Sequence, residues 1–289
     1  MKGIVLAGGT GSRLWPITRS VSKQLLPIYD KPMIYYPIAT LMLAGIREIL
    51  IITTPEDQSQ FQKLLGDGSD LGISFQYAAQ SEPKGIAQAF IIGEKFLSDS
   101  SCLLILGDNV FHGAGLGRDI IRDLPSKGAH IFTYEVTNPE DYGVLEVDKM
   151  LNPLSITEKP TEFISSLAVT GLYFFDSQVV EISKNVEPSQ RGELEIASVL
   201  TAYIEDKTLS YTQISRGSAW LDTGNPKSLH DAGSFVRILE ERTGLKVGCI
   251  DEISFQNKWI DENQLLMNIK KLGKNTYSSY LQKILNFVS

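Results

Sequence analysis

Apolar runs at residues 4–7, 49–53, 73–78, 102–106 and 131–136 alternate with helix-length segments at 33–44, 56–65, 86–97 and 116–124. Strands that are apolar on both faces and spaced by helices bury themselves as a mostly parallel sheet with helices on either side. After residue 137 the runs at 144–147, 154–157, 169–175 and 209–215 have shorter connections, which predicts an added mixed or antiparallel portion. Residues 225–243 read as a helix. Asn225 or Thr223 can cap it, Pro226 suits its first turn, and Leu229, Ala232, Val236 and Leu239 share one face. Residues 244–289 read as a mostly helical tail. The expected class is therefore α/β: a Rossmann-like sheet flanked by helices, an added portion, and a helical C-terminal extension.

Ligands in such sheets bind beyond the carboxyl ends of the strands. The first strand, Lys2-Gly3-Ile4-Val5-Leu6-Ala7, runs there into Gly8-Gly9-Thr10-Gly11-Ser12-Arg13. Glycines let backbone N–H groups approach an anion closely, and clustered N–H dipoles form a concave anion site. Arg13 and Lys23 add full positive charges. The stretch is not a P-loop, because Gly11 is followed by Ser12-Arg13 rather than Lys-Ser/Thr. Nor is it a dinucleotide fingerprint: counted from Gly9, the third glycine would fall at Leu14, and Asp30 sits in a turn next to Lys31-Pro32.

The chain has 289 residues and a net charge of −7, which argues against a general nucleic-acid or anionic-membrane binder. An anionic ligand must be met by a few local Lys and Arg. Cys102 and Cys249 read as buried free thiols in a reducing compartment, and no Cys/His spacing suits a metal. Met1-Lys2-Gly3 leads directly into a strand, so no signal peptide is expected. The longest mostly apolar stretch, 33–46, contains Pro37 and Gly45 and is too short for a membrane span. A cytoplasmic protein is expected.

Two acids stand out. Asp108 ends the buried run 102–106, and Asp222, in Trp220-Leu221-Asp222-Thr223-Gly224, directly precedes a helix. Two carboxylates at one cleft can hold Mg2+, which fills its other positions with phosphate oxygens and water. Three further clusters suit a second anionic substrate: Glu158-Lys159-Pro160, Val169-Thr170-Gly171-Leu172-Tyr173 and Arg191-Gly192-Glu193.

These motifs, with Ser22-Lys23-Gln24-Leu25-Leu26-Pro27, Gln80-Ser81-Glu82-Pro83-Lys84-Gly85 and Glu140-Asp141-Tyr142-Gly143, occur in an order that resembles the bacterial glucose-1-phosphate thymidylyltransferases, or dTDP-glucose pyrophosphorylases. The likeness runs from residue 1 to about 285. It implies Mg2+-dependent transfer of a thymidylyl group from dTTP to glucose 1-phosphate with release of pyrophosphate, the first step towards dTDP-rhamnose-type deoxysugars. It implies that the loop Gly8, Gly9, Thr10 and Gly11 with Arg13 and Lys23 holds the triphosphate, that Gln24, Gln80 and Gly85 line the nucleoside pocket, and that Leu6, Pro83 and Asp108 also bind the nucleotide. Tyr142, Gly143, Glu158, Lys159, Val169, Tyr173 and Arg191 would hold the sugar phosphate, and Asp108 and Asp222 the metal. The corresponding division is one nucleotidyltransferase domain over 1–243, with a nucleotide part at 1–137 and a sugar-phosphate part at 138–224, and an interface extension at 244–289. A homotetramer and feedback inhibition by dTDP-rhamnose are also implied.

The chemistry follows from charge. The attacking sugar phosphate is already an oxyanion, so no general base is needed. Catalysis should consist of in-line positioning and neutralisation by the metal, Arg13, Lys23, Lys159 and Arg191. A relative using UTP or CTP and a non-catalytic nucleotide-sugar sensor remain the alternatives. Gln80 is the expected base reader, since an amide can both donate and accept.

Overall fold

A computed structural model describes residues 1–288. Among them, nine strands join in one mixed sheet. Its main path runs 153–158, 143–147, 167–175, 102–106, 2–7, 48–53, 74–79, and strands 129–135 and 209–213 extend it from 167–175. The strands 102–106, 2–7, 48–53 and 74–79 are mutually parallel, as the alternation with helices predicts. The strand 167–175 then lies antiparallel to 102–106 and carries the added portion.

Side-chain alternation explains why these runs are apolar throughout. In the first strand Ile4 and Leu6 enter one core while Val5 and Ala7 enter the other. In the next, Ile49 and Ile51 face one layer and Leu50 and Ile52 the opposite one. One layer packs helices Tyr35–Leu43, Gln58–Leu65 and Leu116–Arg122 on the sheet; the other packs Gln88–Ile92, Val179–Asn185 and Ile196–Glu205. Each such fully buried Ile or Leu stabilises by about 1.5–3 kcal/mol, so an exposed face is not an option for these strands.

Local differences from the sequence reading have identifiable causes. The single helix expected at 86–97 is two short helices, Gln88–Ile92 and Glu94–Leu97, joined at Gly93. Gly93 packs so tightly that a Cβ there would lie 3.0 Å from the Ala89 carbonyl oxygen and 3.3 Å from Ile4 and Leu50. The helix Pro226–Thr243 begins as expected. Asn225 supplies the cap, accepting from Ser228 N at 3.0 Å in a reciprocal capping box, whereas Thr223 is engaged elsewhere.

The tail forms helices Ile250–Gln256, Glu262–Leu272 and Thr276–Val288. They share a small core of Cys249, Ile260, Leu265, Tyr277, Tyr280 and Leu281, while Ile250 and Ile253 join the main core. Asn268 donates to the Asp70 carbonyl at 2.9 Å, and the Arg47 guanidinium lies over the Trp259 ring, so the tail caps this side of the sheet. No helix among the described residues is long and apolar enough to cross a membrane. Both cysteines are buried and free.

Candidate active site

Of the two acids singled out from the sequence, Asp222 ends one strand of a separate two-stranded ribbon and Asp108 directly precedes the other. Strands Asn109–His112 and Ala219–Asp222 pair antiparallel with Asp222 opposite Asn109, which sets Asp222 beside Asp108. Thr223 locks the junction: its backbone N–H and its hydroxyl both donate to the Asp108 carbonyl, at 3.1 and 2.7 Å. The juxtaposition has an electrostatic consequence. Burial, and then the negative charge of Asp108, push the Asp222 carboxyl up to about 6, against the pull of Lys23, Arg13 and Lys159. Burial works against ionisation of Asp108 as well, but the Lys23 ammonium and hydrogen bonds from Lys23 and Asn109 hold it below the ordinary carboxylate value.

Cations surround this pair. Lys23 is ion-paired directly with Asp108. Around Gly224, Arg13 Nη2 and both Asp222 carboxylate oxygens lie 3.3 Å from where a Cβ would stand, so glycine leaves room for the guanidinium and the acid to converge. Lys159 sits at the end of the 153–158 strand with φ +48, its N–H bonded to the Tyr142 carbonyl at 2.9 Å. A lysine held in left-handed backbone costs roughly 1–3 kcal/mol and occurs where the surroundings impose it, often at functional sites.

The glycine loop follows the first strand, with Gly11 at φ +61 and its carbonyl accepting from the Thr18 hydroxyl at 2.7 Å. Gly9 and Thr10 are exposed, and Leu6 is half-buried with its carbonyl bonded to Gly107 N at 2.9 Å. Gly8 abuts the Gln80 side-chain oxygen so closely that any Cβ would collide with it. Gln80 is itself buried, and its amide NH2 donates to Gln88 Oε1 at 2.7 Å and to the Gly85 carbonyl at 3.3 Å. Its donor capacity is therefore committed, which narrows the two-way role expected of it: what stays available is the carbonyl oxygen beside Gly8. Gln24 is buried, with its Oε1 accepting from the Ser22 hydroxyl at 2.8 Å. Pro83 is exposed.

On the other wall, a Cβ at Gly143 would meet Glu158 Oε2 at 3.0 Å, so this glycine and this acid are in contact range. Desolvation raises the Glu158 carboxyl; Lys159, Arg191 and Arg13 oppose that rise and Glu195 adds to it. Arg191 is exposed and 3.4 Å from Glu195. Tyr142 is half-buried against Trp220, their rings 5.1 Å apart. Tyr173 is buried, and desolvation together with Glu158 and Asp108 pushes its hydroxyl up. Val169 lies where the ladder between 167–175 and 129–135 shifts register. Arg13, Lys23, Asp108, Asp222, Glu158, Lys159 and Arg191 are thus close enough to act on one another's charge.

The matching family model is described as nucleotidyl transferase and spans residues 2–238. A glucose-1-phosphate thymidylyltransferase of Neisseria meningitidis serogroup A is 51% identical over 286 residues, 99% of each chain. One from Mycobacterium tuberculosis is 50% identical over 285 residues, again 99% of each. The chain belongs to the glucose-1-phosphate thymidylyltransferase family. Among solved structures, a Bacillus anthracis protein assigned as a glucose-1-phosphate thymidylyltransferase, crystallised with sucrose, superposes with a TM-score of 0.76 at 40% identity, covering 82% of this chain and 95% of that one. A UDP-glucose pyrophosphorylase with UDP-glucose bound has a TM-score of 0.74 at 24% identity, covers 82% of this chain and 98% of that one, and shares the fold.

In this thymidylyltransferase-family site Asn109 and Trp220, which the motifs leave without a role, also meet the acid-bearing segments. Asn109 is buried; its Oδ1 accepts from Trp220 Nε1 at 2.5 Å and from Gly171 N at 3.2 Å, and its Nδ2 donates to Asp108 Oδ1 at 3.1 Å. It fastens both acid-bearing segments to the 167–175 strand. The available signal was its place directly after an acid at a strand end, where a buried amide needs partners on every side.

Proposed function

We propose that this chain transfers a thymidylyl group from dTTP to α-D-glucose 1-phosphate, giving dTDP-glucose and pyrophosphate, by direct in-line attack. The observation that carries the reading is the pairing of Asp108 and Asp222 in a cleft ringed by Arg13, Lys23 and Lys159, in a chain about half identical to named thymidylyltransferases over nearly its whole length. Nucleotidyl transferases use a divalent cation, and the donor set here suits one. Two carboxylates, one of them held above the ordinary range by burial and by the other's charge, gain from a shared hard cation. Asp108 and Asp222 would hold Mg2+, which when bound supplies charge neutralisation at the phosphates.

The chain's own residues account for the rest. The loop 8–11, with Leu6, Arg13 and Lys23, takes the triphosphate; Arg13 faces the transferred group and the leaving pyrophosphate. Lys159 and Arg191 meet the sugar phosphate, and Glu158, Tyr142, Tyr173 and the backbone near Gly143 and Val169 hold the hydroxyls. No acid or base has to move a proton, because the nucleophile is a phosphate oxyanion. Gln24, Pro83 and Gly85 line the nucleoside side with Gln80. The Gln80 carbonyl oxygen accepts the N3–H of thymine or uracil; cytosine presents an unprotonated N3 there and is refused.

The nucleotide part is assigned to 1–137, the sugar-phosphate part to 138–224 and a subunit-interface role to 244–289. A homotetramer, inhibition by dTDP-rhamnose, a place at the start of dTDP-rhamnose formation and a cytoplasmic location belong to the same reading. Exposed Met267 and Leu272 on the tail support an interface. The test is pyrophosphate release with each nucleoside triphosphate against several sugar 1-phosphates. Highest kcat/KM with dTTP and glucose 1-phosphate is expected; turnover with CTP above UTP overturns the base assignment, and no turnover favours a nucleotide-sugar sensor.

A further inference from the structure

The two acids of the cleft differ in how fully they are engaged. Asp108 has both oxygens taken: Oδ2 by the Lys23 ammonium and Oδ1 by Asn109 Nδ2 at 3.1 Å. Among the described residues, the Asp222 carboxylate has no hydrogen-bond or ion-pair partner. The side chains of Lys23 and Asp108 are only 10% and 13% exposed, so water does little to loosen their pairing. Lys23 is fixed at its base as well, since it opens a tight turn in which Leu26 N donates to its carbonyl at 3.0 Å.

We propose that Lys23 latches the free protein: its ammonium occupies the Asp108 oxygen that a divalent cation needs, and releases it when the triphosphate of an incoming nucleotide offers a replacement anion. This rests on the assignment of Asp108 and Asp222 as the metal site. The physical argument is competition for one oxygen. A metal ion arriving alone must strip a nearly buried ammonium from the one carboxylate that it is hydrogen-bonded to among the described residues, which is costly in low dielectric. With a triphosphate present, Lys23 exchanges one anion for another and the cation gains both carboxylates. Metal and nucleotide therefore tighten each other's binding by the same factor. The latch also keeps the empty cleft from holding two facing carboxylates with no cation between them.

The test measures Mn2+ alone, without nucleotide, by the loss of the free-ion electron paramagnetic resonance signal on titration into the whole chain. Lys23→Met is compared with wild type and with Lys159→Met, which removes one positive charge from the same cleft without touching Asp108. Lys23→Met should bind Mn2+ about tenfold or more tightly than wild type, the scale of one close charge pair that no longer has to be broken, with Lys159→Met within about twofold. Circular dichroism checks the fold, and Lys23→Gln replaces Lys23→Met if the latter does not fold. Equal tightening in the Lys23 and Lys159 variants, or none in the Lys23 variant, overturns the latch and leaves the metal site standing. Mn2+ binding that is unchanged in both Asp108→Asn and Asp222→Asn overturns the metal-site assignment, and the latch with it.

Discussion

Two clusters of charge sit at opposite ends of the same structural seam, and they are built on different terms. In the cleft, Asp108, Asp222 and Lys23 leave one carboxylate unpaired and raised to about 6. At the other end, Asp30, Lys31, Glu240 and Lys246 form a closed set of two acids and two amines. Lys31 meets Glu240 at 2.9 Å and also contacts Asp30, Lys246 meets Glu240 at 2.8 Å and pairs with Asp30, and Val247 N donates to Glu240 Oε1 at 3.0 Å. This set joins the turn after Lys23 and Gln24 to the helix that follows Asp222 and to the start of the tail. Between the clusters lies a small core of Ile28, Met33, Tyr36, Val110, Ala232 and Val236. Satisfied charge holds the seam together; unsatisfied charge is kept where a cation and phosphates are proposed to bind, as expected when perturbed groups gather at functional sites.

The contrast can be broken by substitution. Asp108→Asn and Asp222→Asn should each lower kcat by about two orders of magnitude or more in saturating Mg2+, because each would remove a proposed ligand of the charge-neutralising cation. At neutral pH Asp222→Asn should melt at or above wild type and Asp108→Asn below it, because only the latter leaves Lys23 without its paired carboxylate; near-normal turnover in both would erase the functional half of the comparison. The seam should respond in the opposite way. Glu240→Ala leaves Lys31 and Lys246 to share Asp30 and removes the acceptor of Val247 N, and should cost about 1–3 kcal/mol in urea unfolding, while the folded fraction keeps its KM values.

A smaller effect separates the two walls of the cleft. Lys159→Ala and Arg191→Ala should raise the KM for glucose 1-phosphate by roughly tenfold, since a ground-state phosphate already carries the charge they meet, whereas Arg13→Ala should act mainly on kcat. If Arg191→Ala moved only the KM for the nucleotide, the division into two walls would be wrong. Base choice should follow in size: the unprotonated N3 of cytosine against a carbonyl acceptor costs about 1–3 kcal/mol, so CTP should trail UTP by roughly tenfold or more in competition kinetics.

The least effect concerns pH. Burial and the Asp108 charge raise the folded Asp222 carboxyl from the ordinary carboxylate range to about 6, so the folded state binds this proton more tightly than the unfolded chain does. Its contribution to stability is fully present at low pH and is lost as pH rises through about 6. Thermal unfolding without metal should therefore show wild type losing stability relative to Asp222→Asn across that interval. Parallel curves would mean that Asp222 is not buried against Asp108 in solution.

Much of this was legible in the residues. Runs such as 49–53 and 102–106 can satisfy both faces only between two helical layers, and their carboxyl ends then fix where a ligand binds. The glycine loop and the acids at 108 and 222 followed from local composition. The break at Gly93 was not legible, because it depends on Ile4 and Leu50 pressing on that glycine from other strands. Nor was the engagement of the Gln80 amide, which depends on Gln88 and Gly85 folding back towards it.

The sequence by itself determined the layered α/β class, a glycine loop at the end of the first strand and where acids and bases stand along the chain, because those depend on periodicity and on neighbours in the chain. Only the tertiary structure decided that Asp222 stands beside Asp108, that Asn109 ties both to the 167–175 strand, and that Lys23 spends its charge on Asp108. The ribbon responsible has strands of four residues each. Segments that short carry too little pattern to announce their pairing, and partners so far apart in the chain meet only after the surrounding core has formed.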